Sequence, residues 1–259
     1  NLLSKMADVF NVELSEDLKQ LFATEHDIDN IAYKKYLEGK FLSDNMSHGG
    51  DLNKSEKLLE EAIEIDDEFS EAYSALAMTK NLLGNYEDAE ESLETAIDLA
   101  EDSQNESALM IIYNNSGIYY KERQKYKKSI RYFEKGIKLL RIYQDDLMEA
   151  KFLHNMAGSY GRLGDNDRAL DFLYKAQKLY KKLELSLGNS YGEIGIRYKD
   201  INKHEEAITS FNRAIRIFKS EGKSFNVARV LIMQSDIYNS IGKFHESIKV
   251  LDNAVLIAE

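Results

Sequence analysis

The chain of 259 residues contains no proline, no cysteine and no tryptophan. Without cysteine it has no disulfide, no thiolate metal site and no cysteine nucleophile. Without proline, the ends of helices must be marked by glycine and by polar clusters. The longest apolar run, at positions 108–112, is about five residues long, whereas a membrane-spanning helix needs about 20. We therefore predict a cytoplasmic protein that does not insert into a membrane.

Acidic residues are unevenly distributed along the chain, whose formal net charge is −11. Residues 1–110 carry 8 Lys or Arg and 27 Asp or Glu, whereas residues 111–259 carry 26 and 18, so the two parts have net charges of −19 and +8. This polarity would steer charged partners and favour head-to-tail contact between copies of the chain. The alternative interpretation is a set of solvated helix faces without a partner.

A three-residue pattern recurs six times, at spacings of 34, 40, 40, 38 and 40 residues. A small residue is followed four positions later by Leu or Phe, and three positions after that by another small residue. These intervals place the three residues on one face of a helix. A period of this length is typical of a solenoid, in which each unit buries its apolar face only against its neighbours. The six copies are Ser55/Leu59/Ala62, Ala89/Leu93/Ala96, Ser129/Phe133/Gly136, Ala169/Leu173/Ala176, Ala207/Phe211/Ala214 and Ser247/Leu251/Ala254.

A second pattern precedes five of these copies and predicts the first helix of a hairpin. An aromatic residue or leucine is followed by a small residue four positions later, and usually by tyrosine three positions after that. Glycines at 84, 164 and 242 separate the two patterns and are suited to the left-handed residue that ends a helix. The small residues, which let two helices approach closely, are Ala77, Gly117, Ala157, Gly195 and Ser235.

The combined pattern resembles the tetratricopeptide repeat, whose consensus is W-x2-L-G-x2-Y, then A-x3-F, then a further alanine and then proline. The clearest match is AYSALA at 72–77 with LGNYEDA at 83–89, although Asp67 stands where proline is usual and the later repeats exceed 34 residues. The resemblance implies an all-α, right-handed α-solenoid of about six helical hairpins. We expect this array over residues 31–259, with repeats anchored near 55, 89, 129, 169, 207 and 247.

The N-terminal segment resembles a junction found in bacterial signalling proteins. Residues 3–15 and 31–40 are similar to the stretch that links an adenylate or guanylate cyclase domain to tetratricopeptide repeats. The resemblance implies that residues 1–30 are a helical linker from an upstream output domain, and that the chain is the regulatory C-terminal part of a cyclase-like protein. Kinases and transcription regulators are the alternative parents.

The sequence shows no catalytic constellation. The five histidines are scattered, and none has a second histidine at the spacing of helical metal ligands. Residues 165–167, DND, lack the glycine and glutamate of a calcium loop, and the glycines at 158, 161 and 164 lack the strand that precedes a dinucleotide loop. We therefore predict a non-enzymatic chain with no catalytic residues, no metal and no cofactor.

The resemblance also implies an inner groove lined by the first helix of each hairpin. Amide and cationic side chains there would bond the backbone and carboxylates of a bound peptide. The alternative is an empty groove in an array that acts as a spacer or dimeriser. The predicted groove residues are Asn81, Asn114, Ile118, Lys121, Lys151, His154, Arg162, Asn189, Lys199, Arg229, Ile232 and Asn239.

A basic segment at 121–141 contains nine Lys or Arg against two acidic residues. A solvated helix face, contact with an acidic protein surface (including the acidic half of a second copy) and nucleic-acid binding are the three interpretations. Nucleic acid comes last, because Tyr126 and Phe133 already belong to the repeat pattern and so give no argument for base stacking. The stripe consists of Lys128, Arg131, Lys135 and Lys138.

The last copy of the pattern lies close to the end of the sequence. Val250, Val255 and Ile257 follow it without a polar capping helix. Because solenoids need covered ends, we expect a second copy of the chain, or residues beyond Glu259, to cover this face.

Overall fold

The computed structural model describes residues 28–45, 50–140 and 144–258, and every regular element within these ranges is an α-helix. The predicted all-α solenoid of tetratricopeptide-like hairpins is confirmed, with twelve helices in the described residues that follow one another as six pairs. Residues 1–27 of the predicted linker lie outside the described residues. The helices are α1 (Asn30–Asp44), α2 (Leu52–Ile65), α3 (Ser70–Leu83), α4 (Tyr86–Asp102), α5 (Glu106–Glu122), α6 (Tyr126–Leu139), α7 (Asp146–Arg162), α8 (Asn166–Lys182), α9 (Gly188–Asp200), α10 (His204–Ser220), α11 (Ser224–Ser240) and α12 (Phe244–Ala258).

The chain forms two compact units, the first ending at Tyr119 and the second beginning at Tyr120 within α5. In each unit the apolar side chains cluster between adjacent hairpins. Tyr36, Leu59 and Phe69 form one such cluster in the first unit, and Phe211 and Leu231 belong to one in the second. The interior is therefore a succession of local contacts, as a repeat protein requires.

Helix boundaries follow from side chains that satisfy the free backbone groups. The carboxylate of Asp29 accepts the N–H groups of Ile31 and Ala32 at 2.7 and 3.2 Å, which caps α1. Asp145 caps α7 in the same way, with two bonds of 2.9 Å. At the other end of a helix, Gly84 has φ of 90°, the left-handed conformation that glycine adopts most easily.

The six triplets lie on the second helix of each pair, as predicted. All residues of the first five copies are buried, and Leu59, Phe133, Leu173 and Phe211 have no exposed surface at all. The sixth copy differs, because Leu251 on α12 is 37% exposed. No helix follows α12 within the described residues, so this position lacks the neighbour that covers it in the other hairpins.

Serine at the first position of a triplet bonds to an adjacent helix. The Ser55 hydroxyl donates to the Gly39 carbonyl at 2.8 Å, and the Ser247 hydroxyl donates to the Ser235 carbonyl at 3.2 Å. Ser129 and Ser159 share a hydrogen bond of 2.8 Å. These bonds satisfy hydroxyl groups that would otherwise be buried at a cost.

Close approach between hairpins of the second unit depends on the absence of a side chain at Gly136. A Cβ atom added there would lie 2.1 Å from the ring carbon Cζ of Phe152, which is completely buried. Gly192 on α9 is different, since nothing lies within 4 Å of an added Cβ. The two glycines therefore offer a matched pair for testing the packing.

We predict that Gly136→Ala lowers the free energy of unfolding and that Gly192→Ala raises it. Alanine in a helix gains about 1 kcal/mol over glycine, but overpacking against Phe152 costs about 1–3 kcal/mol. We therefore expect a net destabilisation of Gly136→Ala of up to about 2 kcal/mol. Urea unfolding followed by circular dichroism measures both variants, and equal stability of the two would contradict this account of the interface.

Candidate binding groove

Two adjoining cavities lie on the second unit, between the first helices of its hairpins. The larger has a volume of about 840 Å³, and its lining includes Lys121 and Asp236. The smaller has a volume of about 220 Å³, and its lining includes His154 and Arg229. Both are lined by Glu193, Ile196 and Met233. We call this continuous depression, formed by α7, α9, α11 and the end of α5, the second-unit groove.

Six of the twelve predicted groove residues line the second-unit groove. Lys121, Arg162 and Lys199 border the larger cavity, and His154, Asn189 and Arg229 border the smaller. Three other predicted residues are exposed on the second unit but outside the lining of both cavities. These three are Lys151, Ile232 and Asn239.

The remaining three predicted residues belong to the first unit. Asn81 on α3 is buried, being 7% exposed. Asn114 and Ile118 on α5 are half-buried. The structure therefore does not bring these three into the second-unit groove, and a binding role for any of the twelve stays a prediction.

The sequence prediction missed the acidic residues of the groove. Glu193, Asp200 and Asp236 line the larger cavity, and the Asp236 carboxylate lies 3.7 Å from the Lys199 ammonium. The prediction selected cationic and amide side chains, so it passed over carboxylates on the same helices. The signal was present, since Asn189, Glu193 and Asp200 share one face of α9 at helical spacing. The groove thus presents charges of both signs.

Arg197 is the most unusual residue of the groove. It is only 4% exposed, and a Cβ atom added at Gly161 on α7 would lie 1.8 Å from its Nη1 atom. Its guanidinium therefore occupies a notch that exists because residue 161 has no side chain. Asp200 lies 3.2 Å from Nη1 and Glu193 lies 3.9 Å from Nη2.

Four other repeats show that a cation is not required at the position of Arg197. Arg197 follows the small residue of its helix, Gly195, by two positions. The same position is buried in four other repeats, where it holds an uncharged residue. These residues are Thr79, Tyr119, Ser159 and Ile237, which are all at most 1% exposed.

The side chain of Lys121 on α5 also reaches α7. Its side chain passes Gly158, where an added Cβ would lie 3.6 Å from Cδ and 3.9 Å from Nζ. The ammonium donates one long hydrogen bond, of 3.4 Å, to the side-chain oxygen of Asn155. Burial lowers the pKa of Lys121, and the charge of Arg162 lowers it further, whereas Glu193 opposes both effects.

His154 borders the smaller cavity and is half-buried. Its Nδ1 atom is 3.4 Å from the Ser190 hydroxyl, and its ring forms a T-shaped pair with the Tyr180 ring at a centroid distance of 6.3 Å. Burial lowers the pKa of His154; nearby Glu193 counteracts this and Lys121 reinforces it. The neutral imidazole is therefore the favoured form in the folded protein.

The predicted basic stripe on α6 is partly engaged with aromatic rings. The Lys128 ammonium lies 4.0 Å from the centroid of the Tyr120 ring, and Lys135 lies 5.6 Å from that of Tyr132. The two tyrosine rings stack at 5.3 Å. Cation–π contact of this kind uses the lysines in packing, which weakens the case for a phosphate-tracking surface.

A third cavity, of about 550 Å³, lies on the first unit and is lined by acidic side chains that include Asp66, Glu71 and Asp102. In the described part of the chain, no three His, Asp or Glu side chains are placed to hold a metal ion. Among the described helices, none combines the length and the apolar character that crossing a membrane demands.

We predict that the stability of the second unit falls as the pH drops below the ordinary pKa of histidine, about 6.5. The unfolded chain then takes up a proton at His154 that the folded chain resists, so the free energy of unfolding decreases until the lower, folded-state pKa is passed. Urea unfolding at about pH 7.5 and about pH 5.5 measures the effect. His154→Gln should reduce this pH dependence, and His245→Gln, which removes an exposed histidine, is the control; identical slopes in the two variants would contradict the assignment.

Comparison with known proteins agrees with the repeat architecture. Response regulator aspartate phosphatase J of Bacillus subtilis (strain 168) is 26% identical over 182 residues, which are 69% of this chain and 47% of that protein. This chain therefore spans about half the length of that relative.

Solved structures show the same fold at low sequence identity. A signal transduction ATPase with numerous domains and a tetratricopeptide repeat sensor, from Pyrococcus horikoshii, aligns with a TM-score of 0.69 and 22% identity over 83% of this chain and 34% of that chain. The apo form of RapI aligns with a TM-score of 0.66 and 17% identity over 93% of this chain and 68% of that chain. At such identities the likeness concerns the fold alone.

The tetratricopeptide repeat profile matches residues 68–142 and 148–220, which together are more than half of the sequence. These ranges contain the hairpins from α3 to α10, with their buried triplets and small residues at the contacts between helices. The chain belongs to the tetratricopeptide repeat family.

Proposed function

We propose that this chain is a non-enzymatic scaffold or sensor module that binds a protein or peptide in the second-unit groove. The observation that carries the proposal is the lining of this groove, where six side chains selected from the sequence as peptide-binding residues line two adjoining cavities. The buried triplets pack the hairpins together, whereas Arg162, Asn189 and Arg229 are exposed. A polar inner surface on an independently stabilised framework is suited to recognition.

The charges of the groove indicate what kind of partner it suits. Asn189 and Arg229 are exposed at the smaller cavity and are able to bond the carbonyl groups and carboxylates of a bound segment. Glu193 and Asp236 supply acceptors for its N–H groups and cationic side chains. A groove with donors and acceptors of both signs favours an extended polypeptide over an apolar small molecule.

We also propose that the chain has a regulatory role in signalling. The relative named a response regulator aspartate phosphatase and the solved structure described as having a tetratricopeptide repeat sensor support a place in signalling. Because this chain spans less than half of the former protein, any activity of a longer parent is itself a proposal. The resemblance of residues 3–15 and 31–40 to a cyclase junction supports a cytoplasmic signalling parent with an upstream output domain. Sequencing the gene upstream of the codon for Asn1 tests it, and the absence of an output domain there would contradict it.

Two alternatives remain distinct from groove binding. In one, the array is a spacer or dimeriser and the groove takes no ligand; a wild-type chain that captures no protein partner while forming dimers would favour it. In the other, the stripe from Lys128 to Lys138 binds nucleic acid. Binding of a nucleic acid that weakens steeply with added salt would favour that alternative.

We predict that the double variant Asn189→Ala/Arg229→Ala binds the partner at least about tenfold more weakly, since hydrogen bonds to charged groups contribute about 1.5–3 kcal/mol each. Partners captured by the wild-type chain are first identified by mass spectrometry. Calorimetric titration of a purified partner then compares the variants. Helicity should not change, because both side chains are exposed.

The matched control is Asn253→Ala/Arg216→Ala, which removes an exposed amide and an exposed guanidinium from second helices, outside the groove. We expect this control to bind as the wild type does. Unchanged affinity of the groove variant, or an equal loss in the control, would place the binding surface elsewhere on the chain.

A further inference from the structure

Two physical reasons account for most glycines in the described part of the chain, and neither applies to Gly192. One group has a left-handed backbone just after a helix, which glycine adopts without strain. In the other group an added Cβ atom would lie within 3.0 Å of a neighbouring side chain. Gly192 lies inside α9, and nothing lies within 4 Å of its added Cβ. The first group is Gly84, Gly164, Gly222 and Gly242, and the second is Gly39, Gly136, Gly161, Gly188 and Gly195.

Glycine at position 192 is also unfavourable for helix α9. The backbone of glycine loses more conformational freedom on folding than that of any other residue, so glycine is a poor helix former. The same repeat position, one residue after the aromatic residue or leucine of the first helix, carries a side chain in the four other hairpins that show this pattern. Neither helix formation nor packing therefore accounts for Gly192. The four equivalent residues are Ser74, Asn114, His154 and Ile232.

The smaller cavity of the second-unit groove lies beside Gly192. Its volume is about 220 Å³, and Gly192 belongs to its lining but not to that of the larger cavity. A cavity of about 150 Å³ is large enough for benzene, whereas pockets for drug-sized molecules begin at about 300 Å³. The smaller cavity therefore has room for one amino-acid side chain.

Apolar residues form much of the lining of the smaller cavity. Ile196 and Met233 are half-buried, so each keeps accessible surface. Phe218 and Val230 complete the apolar lining and are almost fully buried. A hydrocarbon group gains free energy by leaving water for such surroundings, whereas a charged or unpaired polar group loses it.

The polar residues of the smaller cavity carry no excess charge. Arg229 and Glu193 contribute one charge of each sign, and burial favours the neutral form of His154 by lowering its pKa. An uncharged occupant is therefore the electrostatic match for this lining. Asn189 and Arg229 are exposed beside the cavity, where their N–H groups are able to bond the backbone carbonyls of a bound chain.

We infer that the smaller cavity is a side-chain pocket, in which one uncharged apolar residue of the bound polypeptide, about the size of leucine or phenylalanine, fills the space left by the missing side chain of Gly192. The inference rests on the proposed function, because it names the residue class that the second-unit groove selects. A partner with glycine at this point leaves the pocket empty, and one with a charged residue there loses hydration without gaining a counter-charge.

The experiment uses the whole chain with isotope-labelled methionine methyl groups, so that the NMR signal of the Met233 methyl reports on the cavity. This signal is identified by its absence from the spectrum of Met233→Leu. The probe is N-acetylleucinamide, which carries one apolar side chain between two amide groups. We expect it to shift the Met233 signal saturably. N-acetylglycinamide, which lacks a side chain, and N-acetylglutaminamide, whose side chain is polar, should bind at least about tenfold more weakly.

Gly192→Leu tests the pocket by filling it from within the protein. The new side chain has room, and leucine is a better helix former than glycine, so stability should not fall. Binding of N-acetylleucinamide should weaken at least about tenfold. Thr209→Leu adds the same side chain at an exposed position of α10, outside the lining of both cavities, and should bind the probe as the wild type does.

The wild-type titrations test the pocket however Gly192→Leu folds. No saturable shift of Met233 with N-acetylleucinamide, or equal affinity for the glycine or glutamine probe, overturns the inference. Wild-type affinity in a folded Gly192→Leu variant, or an equal loss in Thr209→Leu, overturns it as well.

Failure of the side-chain pocket is distinguishable from failure of the proposed function. If Asn189→Ala/Arg229→Ala loses the partner while Gly192→Leu binds partner and probe like the wild type, the groove stands and the pocket falls. If probe binding depends on Gly192 but neither variant affects the partner, the cavity does select an apolar side chain, and it is the assignment of the groove to the partner that fails.

Discussion

The structure depends on one repeated contact, in which a large apolar side chain of a second helix packs against a small residue of an adjacent helix. Phe211 against Gly195 shows it within a hairpin, where an added Cβ would lie 2.5 Å from the ring. Gly136 and Phe152 show the inverse arrangement between hairpins. Because each contact joins only neighbouring helices, stability is distributed along the chain, and the described residues form no central core that would constrain the remaining surfaces.

Because stability is distributed over local contacts, the second-unit groove can contain a buried arginine, which would be strongly destabilising in a single shared core. Arg197 occupies a buried position that carries neutral residues in four other repeats, and it is accommodated because Gly161 leaves room for it. Small residues therefore have two roles in this chain. At Gly136 and Gly195 they allow apolar packing, whereas at Gly158 and Gly161 they admit cationic side chains to a cavity.

The sequence was sufficient to predict the hairpins, because the interval from Ser55 to Leu59 to Ala62 reflects helix geometry directly. It was less informative about the groove, where Lys121 and Asn189 were predicted and Glu193 was missed. Charge preference selected the candidates, but whether a side chain lines a cavity depends on its neighbours. Arg197 shows the limit most clearly, since its position is set by a missing side chain on another helix. Comparing equivalent repeat positions, such as Ser159, would have identified it as exceptional.

The serine hydroxyl bonds within the first and last hairpins have a mechanical consequence. Ser55 and Ser247 each fix the register of two antiparallel helices through a backbone carbonyl, so sliding one helix along the other would break a hydrogen bond. Alanine stands at this position in two of the hairpins that contribute to the second-unit groove, at Ala169 and Ala207, whereas the hairpin of α11 carries Ser247. In the two hairpins with alanine the register is held by van der Waals contact, and a small shear costs less. On the α7 and α9 walls of the groove, a small shear that adjusts to the shape of an incoming chain therefore breaks no such hydrogen bond, whereas on the α11 wall it would.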